Sequence, residues 1–164
     1  MVHFGLSHCT DATRLGENDV KLFIAGIMQG SLSGNEVHNQ DYRTRIKGII
    51  LQYMPTAQIV CPWELYPASV SYGPAKARET LLTMMEEAGR CDVLIAYLPE
   101  ASMGTALEMW KAHEAGRTVL SISPLKYNWV VMCLSDHVFE TLEEFEQFIA
   151  SGGLSKASQS FSNR

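Results

Sequence analysis

CDVLIAYLPEASMGTALEMW, residues 91–110, passes from an apolar run through a short polar turn into a helical pattern that carries a carboxylate, Glu108, in its opening turns. DVLIAYL lacks strict polar alternation, as expected of a strand covered by helices on both faces. The following pattern is helical over 104–115, and Gly116 stands where a left-handed C-terminal cap is expected. This is a strand-to-helix unit, and the same alternation extends in both directions. Short apolar runs occur at 20–26 (VKLFIAG), 57–62 (AQIVCP), 118–123 (TVLSIS) and 137–140 (HVFE). Between them lie helical patterns over 37–53, 74–89, 126–133 and 141–151. Pro55 closes the first and Pro74 opens the second; Gly89 is expected to cap its end, and Thr141 with Glu144 forms a capping box before Phe145 and Ile149. The pattern predicts an α/β domain over 19–151, a flavodoxin-like or Rossmann-like three-layer sandwich around a five-stranded parallel sheet. Residues 1–18 show no period and are expected to form an irregular extension. Residues 152–164, rich in Ser and Gly, hold too few apolar residues to offset the entropy of ordering and are expected to be disordered or draped on a neighbour.

At 164 residues and 46% hydrophobic, the chain has the size of one domain with one sizeable core. A formal net charge of −5 gives no basic field for a nucleic-acid polymer, so a small-molecule partner is expected. The cysteines at 9, 61, 91 and 133 form no C-x-x-C pair and show no metal-ligand spacing, and they read as reduced and structural. The five histidines are equally scattered, so no metal site is expected, and no cofactor. No apolar run approaches the roughly 20 residues that span a bilayer, and polar residues interrupt the N-terminus where a signal peptide needs an apolar core. A cytoplasmic location away from membranes is expected.

In an open doubly wound sheet, ligands bind beyond the carboxyl ends of the strands, where the strand order reverses. The loops after the first three strands therefore matter most. The first and third carry glycines at a strand-to-helix turn, which would let backbone N–H groups approach an anion. Neither G-x-G-x-x-G nor G-x-x-x-x-G-K-[ST] occurs, so neither a dinucleotide fingerprint nor a P-loop is supported. Glu108 has two readings from spacing alone. It either pairs with Lys111 at a helix edge, or projects into the crevice as a nucleophile or base.

Ser102, Gly104 and Glu108 in SMGTALE, preceded by CDVLIAYL and followed by AGRTVLSIS, resemble the signature of the nucleoside 2-deoxyribosyltransferase superfamily, which includes the nucleoside 5′-monophosphate N-glycosidases. KLFIAGIMQGS and the closing segment NWVVMCLSDHVFETLEEFEQFI resemble it more loosely, so the similarity spans about residues 20–150. The resemblance implies that Glu108 is the nucleophile that attacks C1′ of a ribosyl or deoxyribosyl group, as in a retaining glycosidase. Water completes hydrolysis, or a second base completes transfer. Ser102 stands where the transferases tend to carry an acid for a 5′-hydroxyl and the monophosphate hydrolases a serine, which points to a 5′-monophosphate; on its own it reads equally as a helix N-cap. Gly26, Ile27, Met28, Gln29 and Gly30 are implied to wall the sugar and base, with Tyr42 and Arg43 on the next helix reaching inward.

Two departures from the family pattern stand out. Gln29 occupies a loop where the monophosphate hydrolases often have an arginine. The aspartate usual some two dozen residues before the nucleophile is replaced by Leu82, Thr83 and Met84. Glu64, flanked by Trp63 and Tyr66, is the preferred substitute acid, with Trp63 suited to stack on a base. The family assembles as dimers or larger oligomers, and KYNWVVM, with Asn128 as a polar contact, is the segment expected to complete the pocket. The primary expectation is thus an N-glycosidase of nucleoside 5′-monophosphates acting through Glu108. The alternatives are base exchange between deoxynucleosides, a nucleotide-binding module without turnover, and a flavodoxin-like FMN carrier.

Overall fold

The computed structural model describes residues 20–154 and contains the expected sheet. Five parallel strands, β1 (Lys21–Gly26), β2 (Gln58–Val60), β3 (Val93–Tyr97), β4 (Thr118–Ile122) and β5 (His137–Phe139), stand in the order β2-β1-β3-β4-β5. Register pairs Ile24 with Ile95 and Gly26 with Tyr97 across β1 and β3, so these two strands leave the sheet side by side. The chain winds outward in opposite directions from this pair, which places the switch point, and hence the crevice, above Gly26 and Tyr97.

The helices are α1 (Asp41–Tyr53), α2 (Pro62–Leu65), α3 (Pro74–Arg90), α4 (Met103–Glu114), α5 (Trp129–Leu134) and α6 (Leu142–Ala150). Alternate strand residues divide the core in two, as strand geometry requires. Leu22, Ile24, Val93, Ile95, Leu120 and Ile122 point to α1 and α6, where they meet Ile46, Ile50, Phe145 and Ile149. Phe23, Ala25, Leu94, Ala96 and Val119 point the other way, to Met84, Ala88, Met109, Ala112 and Val131. Small residues on this second face bring α4 close over β1 and β3.

Several boundaries differ from those expected. Helix α1 begins at Asp41, because residues 37–40 stay outside the helix and the Gln40 side chain donates to the carbonyls of Ile27 (3.1 Å) and His38 (2.8 Å). Helix α5 begins at Trp129, capped by Asn128 Oδ1, which accepts from the Val130 N–H at 3.0 Å. The loop after β2 contains helix α2 and a 3₁₀ turn at Ser69–Ser71. Gly89 lies inside α3 rather than capping it, while Gly116 has the expected left-handed φ of 69°. Thr141 caps α6 as expected, its Oγ1 accepting from the Glu144 N–H at 3.2 Å. Gly152 turns the chain with φ 77°, and Leu154 then enters the core, so the start of the segment expected to be unordered is packed. The irregular extension at 1–18, Cys9 and the remaining tail lie outside the described residues.

Candidate active site

Helix α4 presents its opening turn to the switch point. Ser102 is its N-cap, and the hydroxyl accepts from the Thr105 side chain at 3.0 Å and, more weakly, from the Thr105 N–H at 3.5 Å. Both bonds use the Ser102 oxygen as acceptor, which leaves its own O–H free to donate outward. One turn on, Glu108 is directed inward and is 9% exposed. Lys111, its possible partner by spacing, bonds Glu114 at 2.8 Å instead. Among the described residues, no hydrogen bond or ion pair to the Glu108 carboxylate is recorded. Burial raises its pKa to about 8, opposed by the positive field of Arg43.

Arg43 explains why the end of β1 is rigid. Its buried guanidinium donates to the carbonyls of Ile24 (2.8 Å) and Gly26 (2.9 Å), and Nε donates to Gln40 Oε1 at 2.7 Å. These bonds satisfy β1 carbonyls that the sheet leaves unpaired, and they hold the charge near Glu108 without joining it. Tyr42 is packed beneath. Its hydroxyl donates to the Ile27 carbonyl at 2.9 Å, its ring stacks on Tyr97 with centroids 4.2 Å apart, and burial pushes its pKa well above the ordinary tyrosine value. A Cβ on Gly26 would stand 2.5 Å from the Tyr42 hydroxyl, so packing of Tyr42 is what requires glycine there.

A cavity of about 290 Å³ opens above these groups. Of the residues singled out in the sequence, it brings together Gly26, Met28, Gln29, Gly30, Ser102, Gly104 and Glu108. Gly30 holds its turn with a positive φ of 56°. A Cβ on Gly104 would meet nothing within 4 Å, so protein packing does not demand a glycine at this point on the cavity wall. Gln29 donates to the Gly34 carbonyl at 2.9 Å and so braces its own loop. Ile27 and Tyr42 support the floor from behind. Asn128 lines an adjoining, more apolar cavity of about 360 Å³, which shares Gly30, Ser102 and Met103 with the first.

Glu64 and Trp63 are not brought in. Helix α2 turns Glu64 outward, where both carboxylate oxygens bond Lys47 Nζ at 2.8 and 2.9 Å, so the expected second acid is an exposed ion-pair partner instead. Tyr66, one turn further along, lines the cavity in place of Trp63. Arg43, expected with Tyr42 to reach inward, does line the cavity, and the remaining wall comes from residues the sequence reading did not single out, among them Tyr72 and the α3 stripe Ala77, Thr80, Leu81 and Met84. That stripe has i, i+3, i+4, i+7 spacing, the signal that would have identified it. It bears no carboxylate: Glu87 pairs with Lys21 at 2.7 Å and Glu86 with Arg90 at 3.5 Å, both away from the cavity. Glu108 is therefore the one carboxylate among the described residues that line it. No group of three or more His, Cys, Asp or Glu among the described residues is placed to hold a metal ion.

No family model matches the sequence, and no curated protein matches it. Solved structures do match. A 2-deoxyribosyltransferase from Bacillus psychrosaccharolyticus aligns with a TM-score of 0.57 at 16% identity, covering 77% of this chain and 90% of that one. A conserved protein from Enterococcus faecalis aligns with a TM-score of 0.56 at 19% identity, covering 80% and 98%. A putative pilus assembly-related protein from Burkholderia pseudomallei reaches 0.52 at 9% identity, covering 85% and 90%. What the chain shares with all three is the fold, a parallel five-stranded α/β sandwich of the kind on which that 2-deoxyribosyltransferase is built.

Proposed function

We propose that the protein is an N-glycosidase that cleaves the base–sugar bond of a nucleoside 5′-monophosphate, with Glu108 as nucleophile. The observation that carries this reading is an inward-facing carboxylate with no recorded bond, at the switch point of a sheet shared with a 2-deoxyribosyltransferase. A nucleophile must keep its lone pairs free, and a carboxylate held by hydrogen bonds would lose that property. Attack of Glu108 on C1′ would give a glycosyl ester, which water hydrolyses in a second step. The free O–H of Ser102, with the first N–H groups of α4, suits a phosphate at the sugar's 5′ end. Tyr66 and Tyr72 provide flat apolar surface for a base.

Self-association belongs to the same reading. Met103, Leu107 and Trp110 form an exposed i, i+4, i+7 stripe on α4, next to exposed Tyr127, Trp129 and Met132. That much apolar surface beside the cavity suits a second copy of the chain.

The test is base release, measured by chromatography from a panel of ribo- and deoxyribonucleoside 5′-monophosphates and free nucleosides, with wild type against Glu108→Gln. Glu108-dependent release from the monophosphates supports the proposal. Release only when an acceptor base is supplied would identify base exchange, and binding without any release would identify a non-catalytic module.

A further inference from the structure

We infer that the preferred substrates are N-glycosides whose base is already cationic at the glycosidic ring system, a pyridinium or an N7-alkylated purine, because the cavity offers a nucleophile but, among the described residues, no second carboxylate and no imidazole to protonate the departing base. This deepens the proposed function and rests on Glu108 acting as its nucleophile.

A neutral purine or pyrimidine base leaves as an anion unless it is protonated, and general acid assistance is typically worth roughly 10²–10⁴-fold. The wall that faces the cavity from α3 has Ala77, Thr80, Leu81 and Met84 where such a group would stand, and Glu64 is turned away to Lys47. The charged and titratable side chains that line the cavity are Glu108, Arg43, Tyr66 and Tyr72. Arg43 is committed to the Ile24 and Gly26 carbonyls and to Gln40, so its field acts on Glu108 without a bond to it, and its N–H groups are engaged away from a leaving base. Burial outweighs the field of Arg43 at this carboxylate, and a positive ring in the cavity would add a second favourable charge beside it. Tyr66 suits such a ring, whereas Tyr72 already has the Lys76 ammonium 4.0 Å from its centroid.

The step balances without a proton donor. A Glu108 oxygen bonds to C1′ as the C1′–N bond breaks, and the electron pair of that bond neutralises the ring cation. Water then bonds to C1′, the ester C1′–O bond breaks to restore the carboxylate, and the proton from water goes to solvent. Cation binding also favours the ionised Glu108, whose pKa burial raises to about 8 in the free protein.

The experiment compares 7-methylguanosine 5′-monophosphate with guanosine 5′-monophosphate, and adds nicotinamide mononucleotide as the pyridinium probe. Rates are divided by the spontaneous rate of each compound and measured for wild type and Glu108→Gln. Calorimetry at pH 7 in buffers of different ionisation enthalpy counts protons released on binding. The expected result is a normalised kcat/KM at least roughly 10²-fold higher for a cationic probe than for guanosine 5′-monophosphate, lost in Glu108→Gln, with more proton release on binding nicotinamide mononucleotide than on binding guanosine 5′-monophosphate. Release from 7-methylguanosine 5′-monophosphate only, or from nicotinamide mononucleotide only, identifies which cationic base fits. Equal Glu108-dependent rates on neutral and cationic probes overturn the inference and leave the glycosidase reading intact. No Glu108-dependent release from any probe overturns both.

Discussion

The two faces of the sheet are built from the same strands but finished differently. On the face covered by α1 and α6, large side chains such as Phe145, Ile46 and Ile50 fill the space against Leu22, Ile24 and Ile95, α6 exposes no large apolar residue, and α1 exposes only Leu51 and Tyr53 near its end. On the face covered by α3, α4 and α5, the strands contribute Ala25 and Ala96, the helices Ala88 and Ala112, and the apolar bulk is displaced outward to Leu82, Leu107, Trp110 and Trp129. The first face is a finished core. The second supports a cavity and leaves its outer surface unfinished. Small residues let α4 sit close enough to the switch point for Glu108 to enter it, and they leave less core to stabilise that helix. Stability and chemistry thus fall largely on opposite sides of one sheet.

Four substitutions test this contrast. Glu108→Gln should have the largest effect, lowering turnover by at least about 10³-fold while leaving the circular dichroism spectrum unchanged, since one isosteric change on the open face removes the nucleophile. The same variant tests the electrostatics. A folded-state pKa near 8 lies above the ordinary glutamate value, so the folded protein holds a proton that the unfolded chain releases, and wild type must lose stability as pH rises between those two values. Thermal melts of Glu108→Gln should therefore exceed wild type increasingly from about pH 5 to pH 8; a constant offset would mean that Glu108 is not buried as described. The kcat/KM of wild type for a neutral substrate should rise with pH to a plateau above about 8.

Phe145→Ala on the closed face should cost about 3–5 kcal/mol in urea unfolding, the usual range for emptying a fully buried aromatic site. Trp110→Glu on the open face should change the stability of the isolated chain by less than about 0.5 kcal/mol yet shift sedimentation velocity toward the monomer. If the two variants destabilise equally with no change in assembly, the faces do not differ as argued. Thr141→Ala should show the smallest effect, about 1 kcal/mol from the lost cap of α6, with no change in activity.

The two acids that the sequence reading paired show where legibility stopped. Glu108 was readable because a βα unit confines it: a strand, a capping serine and helical periodicity fix its distance from the sheet edge. Glu64 follows a three-residue strand in a loop whose path depends on contacts, and nothing local says that α2 will turn it towards Lys47. Arg43 sits between. Its place on α1 was visible, but its burial depends on carbonyls of β1 that point at it only after folding.

Local chemistry alone determined the alternation of strands and helices, the parallel sheet, the caps at Ser102 and Thr141, and the position of Glu108 at a strand-to-helix turn. These follow from side-chain period and from hydrogen bonds a few residues apart, which the chain carries in its order. The cavity's walls were decided by tertiary structure: the α3 stripe without a carboxylate, Tyr66 in place of Trp63, Arg43 locked to β1, and Leu154 drawn into the core. Each depends on groups far apart in sequence competing for one space, and that competition is settled only when the sheet assembles.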